Sequence, residues 1–136
     1  MFLNTDSKFI WLNGSFQPFN EANIHLLSNT LHYGIGVFEG VRAYENKEGG
    51  AIFRLNDHTK RLFDAASKIN ISIPYSIEDL CEAQRSAMVK NNLLEGYIRP
   101  IVFLGSESMG LRSQDSLSVN VAIACWEWPS YMDPDA

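Results

Sequence analysis

The chain of 136 residues has the length of about one domain and is long enough to enclose a hydrophobic core. Hydrophobic residues make up 46% of it and charged residues 20%, which is ordinary for a water-soluble globular domain. The formal net charge of −5, with lysines and arginines scattered along the chain, argues against binding to nucleic acid and leaves small anions as the expected charged ligands.

Targeting signals are not apparent in the sequence. Residues 1–8 carry neither a basic nor an apolar segment, so no signal peptide is predicted. No apolar run approaches the roughly 20 residues of a membrane span, and no membrane association is expected. Cys81 and Cys125 lie in apolar segments and are too few for a disulfide framework, so we expect buried free thiols in a reducing compartment. The expected location is the cytoplasm.

The first predicted element is a β-hairpin. An apolar run at Phe9–Leu12 is followed by an Asn-Gly pair and a second strand-like run over residues 15–19. Asn and Gly both tolerate the positive φ angles of a tight hairpin turn. Pro18 cannot donate to a strand ladder, so the second strand is expected at a sheet edge. Residues 20–36 give no decisive pattern, because a weak helical spacing runs into two glycines.

The middle of the chain changes from strand to helix patterns. Residues 37–44 predict a strand, residues 45–50 a turn, and residues 51–54 the strand that pairs back. Apolar residues then recur at three- and four-residue spacing, which predicts a helix capped by Asn56 and ended by Pro74.

A second helix and two further strands follow. The sequence Ser-Ile-Glu-Asp at 76–79 resembles a capping box, and the asparagines at 91–92 can end the helix that it opens. Strands are predicted over residues 97–104 and 117–126, joined by a long polar loop over residues 105–116. These elements predict an α+β fold, with an antiparallel sheet and two helices packed on one of its faces.

Two predicted strands combine arginine with aromatic residues. Alternate side chains of a strand share a face. The shared faces would hold Phe38, Gly40, Arg42 and Tyr44 in one strand and Tyr97, Arg99, Ile101 and Phe103 in the other. A guanidinium fork suits a carboxylate or phosphate, so the pattern is compatible with a pocket for a small carboxylate, to which Gly40 would give access.

The alternative is that these arginines pair with nearby carboxylates or extend to solvent at the sheet edge. Pro100 favours an edge or a bulge in its strand, and Glu39 on the opposite face can be solvated or functional. Arg61, about one turn into a predicted helix, can bind a phosphate with help from the backbone or lie on the surface. The histidines lack the spacing of metal ligands, so no metal site is predicted.

Several segments together resemble a known family. They are His32-Tyr-Gly-Ile-Gly-Val-Phe-Glu-Gly-Val-Arg-Ala-Tyr44, Tyr97-Ile-Arg-Pro100, Met109-Gly110, Ile10-Trp-Leu-Asn-Gly14, Phe53-Arg-Leu-Asn-Asp-His-Thr-Lys-Arg-Leu62 and Trp128-Pro-Ser-Tyr131. In their order along the chain they resemble the fold type IV aminotransferases, which depend on pyridoxal 5'-phosphate, and most closely the branched-chain amino acid aminotransferases. The resemblance runs in register over residues 10–131.

The resemblance implies a role for each matching residue. Arg61 matches the arginine that holds the cofactor phosphate, Arg99 the one that accepts the distal carboxylate of glutamate, and Arg42 a member of the network behind it. The substrate side-chain pocket would be lined by Phe38, Tyr97 and Tyr131. In the homo-oligomer, a dimer or a hexamer of dimers, the neighbouring active site would receive Tyr33, Met109, Gly110 and Leu111.

The implied reaction is amino-group transfer between Leu, Ile or Val and 2-oxoglutarate through a Schiff-base lysine. None of the five lysines matches that residue, which the family carries in a second domain. We therefore expect residues 1–136 to be the small N-terminal domain, without the C-terminal lysine domain and inactive alone. Two alternatives stay open: the same domain of a D-amino acid aminotransferase or an aminodeoxychorismate lyase, and a non-catalytic module for carboxylate binding or association.

Overall fold

The computed structural model describes residues 8–128, apart from the side chains of residues 112–114. Seven strands form one antiparallel sheet in the order β2-β1-β7-β6-β4-β5, and β3 pairs with β6 beside β4. The strands are β1 Phe9–Leu12, β2 Ser15–Pro18, β3 Gly36–Phe38, β4 Val41–Asn46, β5 Gly49–Ile52, β6 Gly96–Leu104 and β7 Val119–Trp126.

Three α-helices accompany the sheet: α1 Asn29–Tyr33, α2 Leu55–Lys68 and α3 Ile77–Lys90. Short 3-10 helices lie at Phe19–Glu21 and Leu111–Ser116. The two long helices α2 and α3 pack against each other and against the sheet. The predicted α+β fold is confirmed, and none of the described helices is long and apolar enough to cross a membrane.

The turns of the two hairpins agree with the local sequence in one case and differ from the prediction in the other. Asn13 and Gly14 adopt φ angles of 48° and 101°, and β2 lies at the sheet edge, as predicted. The second hairpin is tighter than predicted, because Gly49 and Gly50 pair with Asn46 and Glu45 and so belong to β5. The predicted turn over residues 45–50 was therefore too long.

The start of α2 also differs from the prediction. Arg54 adopts a left-handed conformation with φ of 50°, and the helix begins directly at Leu55. Asn56 therefore lies inside the first turn and does not cap the helix. The predicted capping box of α3 is confirmed: the Asp79 amide donates to Ser76 Oγ at 3.0 Å, and the Ser76 amide donates to Asp79 Oδ2 at 3.3 Å.

Pro100 has a different effect from the one expected. It lies on the central strand β6, between β7 on one side and β3 and β4 on the other, so the expected edge or bulge was wrong: the strand is not at an edge, and its register with β7 is unbroken. The Glu39 amide donates to the Pro100 carbonyl at 3.0 Å, but proline has no N–H to donate in return. The predicted strand over residues 37–44 is accordingly divided into β3 and β4, while the register with β6 stays the same on both sides.

The core lies between one face of the sheet and the helices α2 and α3. Along β6 and β7 the buried side chains alternate with half-exposed ones, so that one face meets the helices and the other stays open. Fully buried members of the core include Leu62, Leu80, Ile98, Val102, Val121 and Ile123. Cys81 and Cys125 are buried free thiols, as predicted.

Cys125 makes stability depend on pH in the alkaline range. Burial raises the pKa of its thiol from the ordinary 9.0 to about 11. The folded state therefore keeps the proton that the unfolded state releases, and stability present below pH 9 should be lost as the pH rises towards 11. The loss should be at most about 3 kcal/mol.

Urea unfolding between pH 8 and pH 11 measures this loss in the chain and in Cys125→Ala. The other titratable groups are the same in both proteins, so the difference between the two pH profiles isolates the Cys125 thiol. Parallel profiles would show that the Cys125 thiol does not contribute.

Candidate active site

Arg99 is the centre of a cluster on the open face of the sheet. Its guanidinium carbon lies 4.2 Å from the ring centre of Phe38 and 5.4 Å from that of Tyr97. One terminal nitrogen, Nη2, donates to Tyr97 Oη at 2.9 Å. Its Nε is buried and has no hydrogen-bond partner among the described residues. A buried N–H without an acceptor is unfavourable, so a carboxylate or carbonyl oxygen of a ligand is well suited to this position.

Strand pairing explains why these side chains meet. Phe38 lies opposite Ile101 and Val41 opposite Ile98, and the unchanged register puts Gly40 opposite Arg99. A Cβ atom at Gly40 would collide with the Tyr97 hydroxyl. The space left by Gly40 is thus filled by the Tyr97 ring, which corrects the expectation that a ligand would approach the sheet there.

Strand β7 supplies small side chains beside Arg99. Ala124 lies opposite Arg99 and Ala122 opposite Ile101 on the open face. Next to them, Trp126 and Trp128 pack against Tyr97, with ring centres 5.1 and 4.6 Å away. The alanines leave room next to the guanidinium, and the tryptophans form a rigid apolar side. Ala122, Ala124 and Trp126 were not among the predicted site residues, although the alternation along β7 could have identified them.

The other predicted substrate residues have different surroundings. Arg42 lies opposite Tyr97, but its Nη2 donates to the Trp128 carbonyl at 3.3 Å and its guanidinium lies 5.8 Å from the Tyr44 ring centre. These contacts of Arg42 with described residues direct its guanidinium away from Arg99 and towards the end of β7. Tyr131 lies outside the described residues.

A second cluster lies on the opposite side of the sheet, where Glu39, between β3 and β4, contacts α2. Glu39 is only 6% exposed, so the alternative of a solvated side chain was wrong. Arg61 donates from Nε to Glu39 Oε1 at 2.6 Å and from Nη2 to Glu39 Oε2 at 2.8 Å. His58 Nδ1 lies 3.1 Å from the same Oε2. Burial raises the pKa of the Glu39 carboxyl, but the hydrogen bonds from Arg61 and His58 outweigh it and hold that pKa below its ordinary value.

Arg61 is suited to hold an anion. It lies in the interior of α2, farther from the helix start than predicted, so helix N-terminal amides do not assist it. Its side chain is 68% exposed, and two of the five guanidinium N–H groups are directed at Glu39. The remaining N–H groups on the exposed side fit a phosphate, the group that the resemblance assigns to this residue.

The residues expected to reach a neighbouring subunit lie together at one end of the domain. The Asn29 amide donates to the Gly105 carbonyl at 2.9 Å, and its side-chain Nδ2 donates to the Gly110 carbonyl at 3.3 Å. These bonds hold α1 beside the loop over residues 105–110. Apolar side chains are exposed on these two segments and directly beside them, namely Leu26, Leu27, Leu31, Tyr33, Met109 and Leu111. Among the described residues, no three metal-ligating side chains come together.

The family is decided by comparison with known proteins. The family described as Amino-transferase class IV matches residues 36–135. The chain belongs to the class IV aminotransferases. A branched-chain-amino-acid aminotransferase of Pseudomonas aeruginosa is 54% identical over 127 residues, which cover 93% of this chain and 41% of that protein. The corresponding protein of Escherichia coli K12 is 39% identical over 128 residues, covering 94% of this chain and 41% of its own length.

Solved structures of class IV aminotransferases have the same fold. The branched-chain aminotransferase of Escherichia coli matches with a TM-score of 0.90 and 38% identity, over 96% of this chain and 43% of that one. The T.th. branched-chain aminotransferase with pyridoxamine 5'-phosphate matches with a TM-score of 0.90, 40% identity and the same coverage. This chain corresponds to the N-terminal part of these relatives and spans about two fifths of their length.

Proposed function

We propose that the full-length protein containing this chain is an aminotransferase that exchanges the amino group between Leu, Ile or Val and 2-oxoglutarate. The observation that carries the proposal is the position of Arg99, whose guanidinium lies between Phe38 and Tyr97 with a buried Nε lacking a described partner. The names of the curated relatives support the same substrate class.

The cluster offers two kinds of recognition in one place. An aliphatic substrate side chain packs on the faces of Phe38 and Tyr97 and against the small Ala124. The distal carboxylate of glutamate or 2-oxoglutarate binds Arg99 and accepts hydrogen bonds from its Nε and terminal N–H groups. When the aliphatic substrate is bound, Tyr97 Oη continues to accept from Arg99, so that the guanidinium is partly compensated.

Pyridoxal 5'-phosphate is the proposed cofactor, and it supplies the carbonyl group and electron sink for amino transfer. Arg61 would hold its phosphate through the N–H groups that are not directed at Glu39. The substrate side chain would be oriented by Arg99 and kept from water by the aromatic rings of Phe38, Tyr97 and Trp128.

We further propose that residues 1–136 form the small N-terminal domain of a cytoplasmic homo-oligomer, either a dimer or a hexamer of dimers. The Schiff-base lysine would be provided by a C-terminal domain. The exposed apolar side chains of α1 and the loop over residues 105–110 support subunit association, because such patches mark interaction surfaces. Tyr33, Met109, Gly110 and Leu111 would then reach the neighbouring active site.

The proposal is tested by assaying the full-length protein with Leu, Ile and Val as amino donors and 2-oxoglutarate as acceptor. We expect glutamate to form with each of the branched-chain donors. A preference for D-alanine as donor would contradict the proposal and favour a D-amino acid aminotransferase.

The isolated chain should not form a specific lysine adduct with the cofactor. Its five lysines do not match the Schiff-base position, and two of them have other contacts: Lys68 pairs with Asp64 at 2.9 Å, and Lys90 lies 4.5 Å from the ring centre of Phe9. Borohydride reduction with pyridoxal 5'-phosphate, followed by peptide mass spectrometry, should find only low and dispersed labelling. One stoichiometrically labelled lysine would contradict this expectation, and the full-length protein serves as the positive control.

A further inference from the structure

We propose that Glu39 is a positioning residue, which fixes the Arg61 guanidinium so that its free edge meets the phosphate of the cofactor. The inference rests on the proposed function, because Arg61 is the residue proposed to hold that phosphate. It adds a role for a buried carboxylate that directly follows Phe38, the residue proposed to face the substrate.

The geometry of the contact between Glu39 and Arg61 supports a fixed orientation of the Arg61 guanidinium. Two parallel hydrogen bonds, 2.6 and 2.8 Å long, join the Nε edge of Arg61 to both oxygens of Glu39. Such a two-point contact fixes the plane of the guanidinium as well as its position. Without it, Arg61 would be a long side chain, 68% exposed, whose rotamers would have to be ordered when phosphate binds.

Glu39 is itself held rigidly. Its amide donates to the Pro100 carbonyl at 3.0 Å, and its side chain is only 6% exposed. His58 Nδ1 lies 3.1 Å from Glu39 Oε2, and it precedes Arg61 by three residues on α2, so both side chains approach from the same helix face. The carboxylate therefore connects the segment between β3 and β4, which is hydrogen-bonded to the central strand β6, to the helix that bears the arginine.

Because Glu39 is negatively charged, the direction in which phosphate binding changes when it is replaced tests the inference. A carboxylate near a phosphate site weakens the attraction of the arginine for an anion. If Glu39 acted only as a charge, its removal would strengthen phosphate binding. If it acts by orienting Arg61, its removal weakens phosphate binding despite the gain in positive charge.

The experiment uses the full-length protein and compares two ligands, pyridoxal 5'-phosphate and pyridoxal, which lacks the phosphate. Dissociation constants are measured by absorbance titration of the apoprotein. In Glu39→Gln we expect the constant for pyridoxal 5'-phosphate to rise about tenfold and that for pyridoxal to stay within about twofold. Glu45→Gln, an exposed glutamate on β4, is the matched control and should change neither constant.

A double-mutant cycle with Arg61→Lys tests whether Glu39 acts through the arginine. Lysine cannot make the two-point contact, so Glu39→Gln should have little further effect on phosphate-dependent binding in that background. If Glu39→Gln does not fold, as judged by circular dichroism, Glu39→Asp carries the same comparison, because its shorter carboxylate cannot keep both contacts in place.

Several results would overturn the inference. They are unchanged or tighter binding of pyridoxal 5'-phosphate in the Glu39 variants, an equal loss for both ligands, and a full additional loss in the Arg61→Lys background. Failure of the proposed function is separately visible, because the wild-type protein would then not transfer amino groups from Leu to 2-oxoglutarate.

Discussion

Replacing Arg99 by leucine should lower kcat/KM of the full-length protein for 2-oxoglutarate by about a hundredfold, because the change removes the proposed partner of the distal carboxylate. The same change should lower kcat/KM for the 2-oxo acid of leucine by less than about threefold, since an aliphatic substrate makes no ion pair. Leucine at this position keeps an apolar contact with Phe38, which lies 4.2 Å from the guanidinium carbon in the native protein.

The test is a comparison of initial rates with each 2-oxo acid varied against a saturating amino donor. Arg85→Leu is the matched control, because this exposed arginine lies on α3 and pairs only weakly with Glu82 at 3.4 Å. It should leave both values of kcat/KM unchanged. An equal decrease for both 2-oxo acids in Arg99→Leu would show that Arg99 supports the fold of the pocket and does not select the carboxylate.

Replacing Ile98 by alanine should destabilise the chain by about 2–5 kcal/mol, the usual range for truncation of a fully buried isoleucine. Ile98 is 0% exposed and lies on the central strand β6, paired with Val41 on one side and Cys125 on the other. Neighbours on two strands hold the backbone in place, so the cavity cannot close by a small shift. The expected loss is a large part of the stability of an ordinary domain.

Urea unfolding of the chain, followed by circular dichroism, measures the change. Ile24→Ala is the control, because that isoleucine is 53% exposed and its truncation should cost less than about 0.5 kcal/mol. Equal effects of the two substitutions would mean that the side of the sheet facing α2 and α3 is not the stabilising core.

Local sequence patterns predicted the secondary-structure elements correctly where a residue type has a single structural effect. The Asn13-Gly14 turn, the capping box of α3 and the two faces of β6 follow from turn geometry, capping and strand alternation. The expectation of an edge or a bulge at Pro100 was wrong because a missing N–H shows only that one inter-strand hydrogen bond is absent. Whether that absence marks a sheet edge or an interruption inside the sheet depends on which strands pair with β6, and pairing over long separations is not visible in local sequence.

The candidate site was predicted unevenly for the same reason. Alternation along two strands correctly brought Phe38, Tyr97 and Arg99 to one face. It could not identify Glu39 as the partner of Arg61, because their contact joins a strand to a helix 22 residues away and depends on how α2 packs. A buried carboxylate in an apolar strand was a usable signal, since such a group requires a positive partner.

The unchanged register across Glu39 and Gly40 bears on how this segment can vary. Residues of this segment face two sides of the sheet: Phe38 and Arg42 face the open side with Arg99, and Glu39 faces the helix side with Arg61. Inserting or deleting a single residue between Gly36 and Asn46 would move the side chains on one side of that point to the opposite face of the sheet. A single substitution here changes one side chain, whereas a change in length would alter the substrate-facing side and the helix-facing side together.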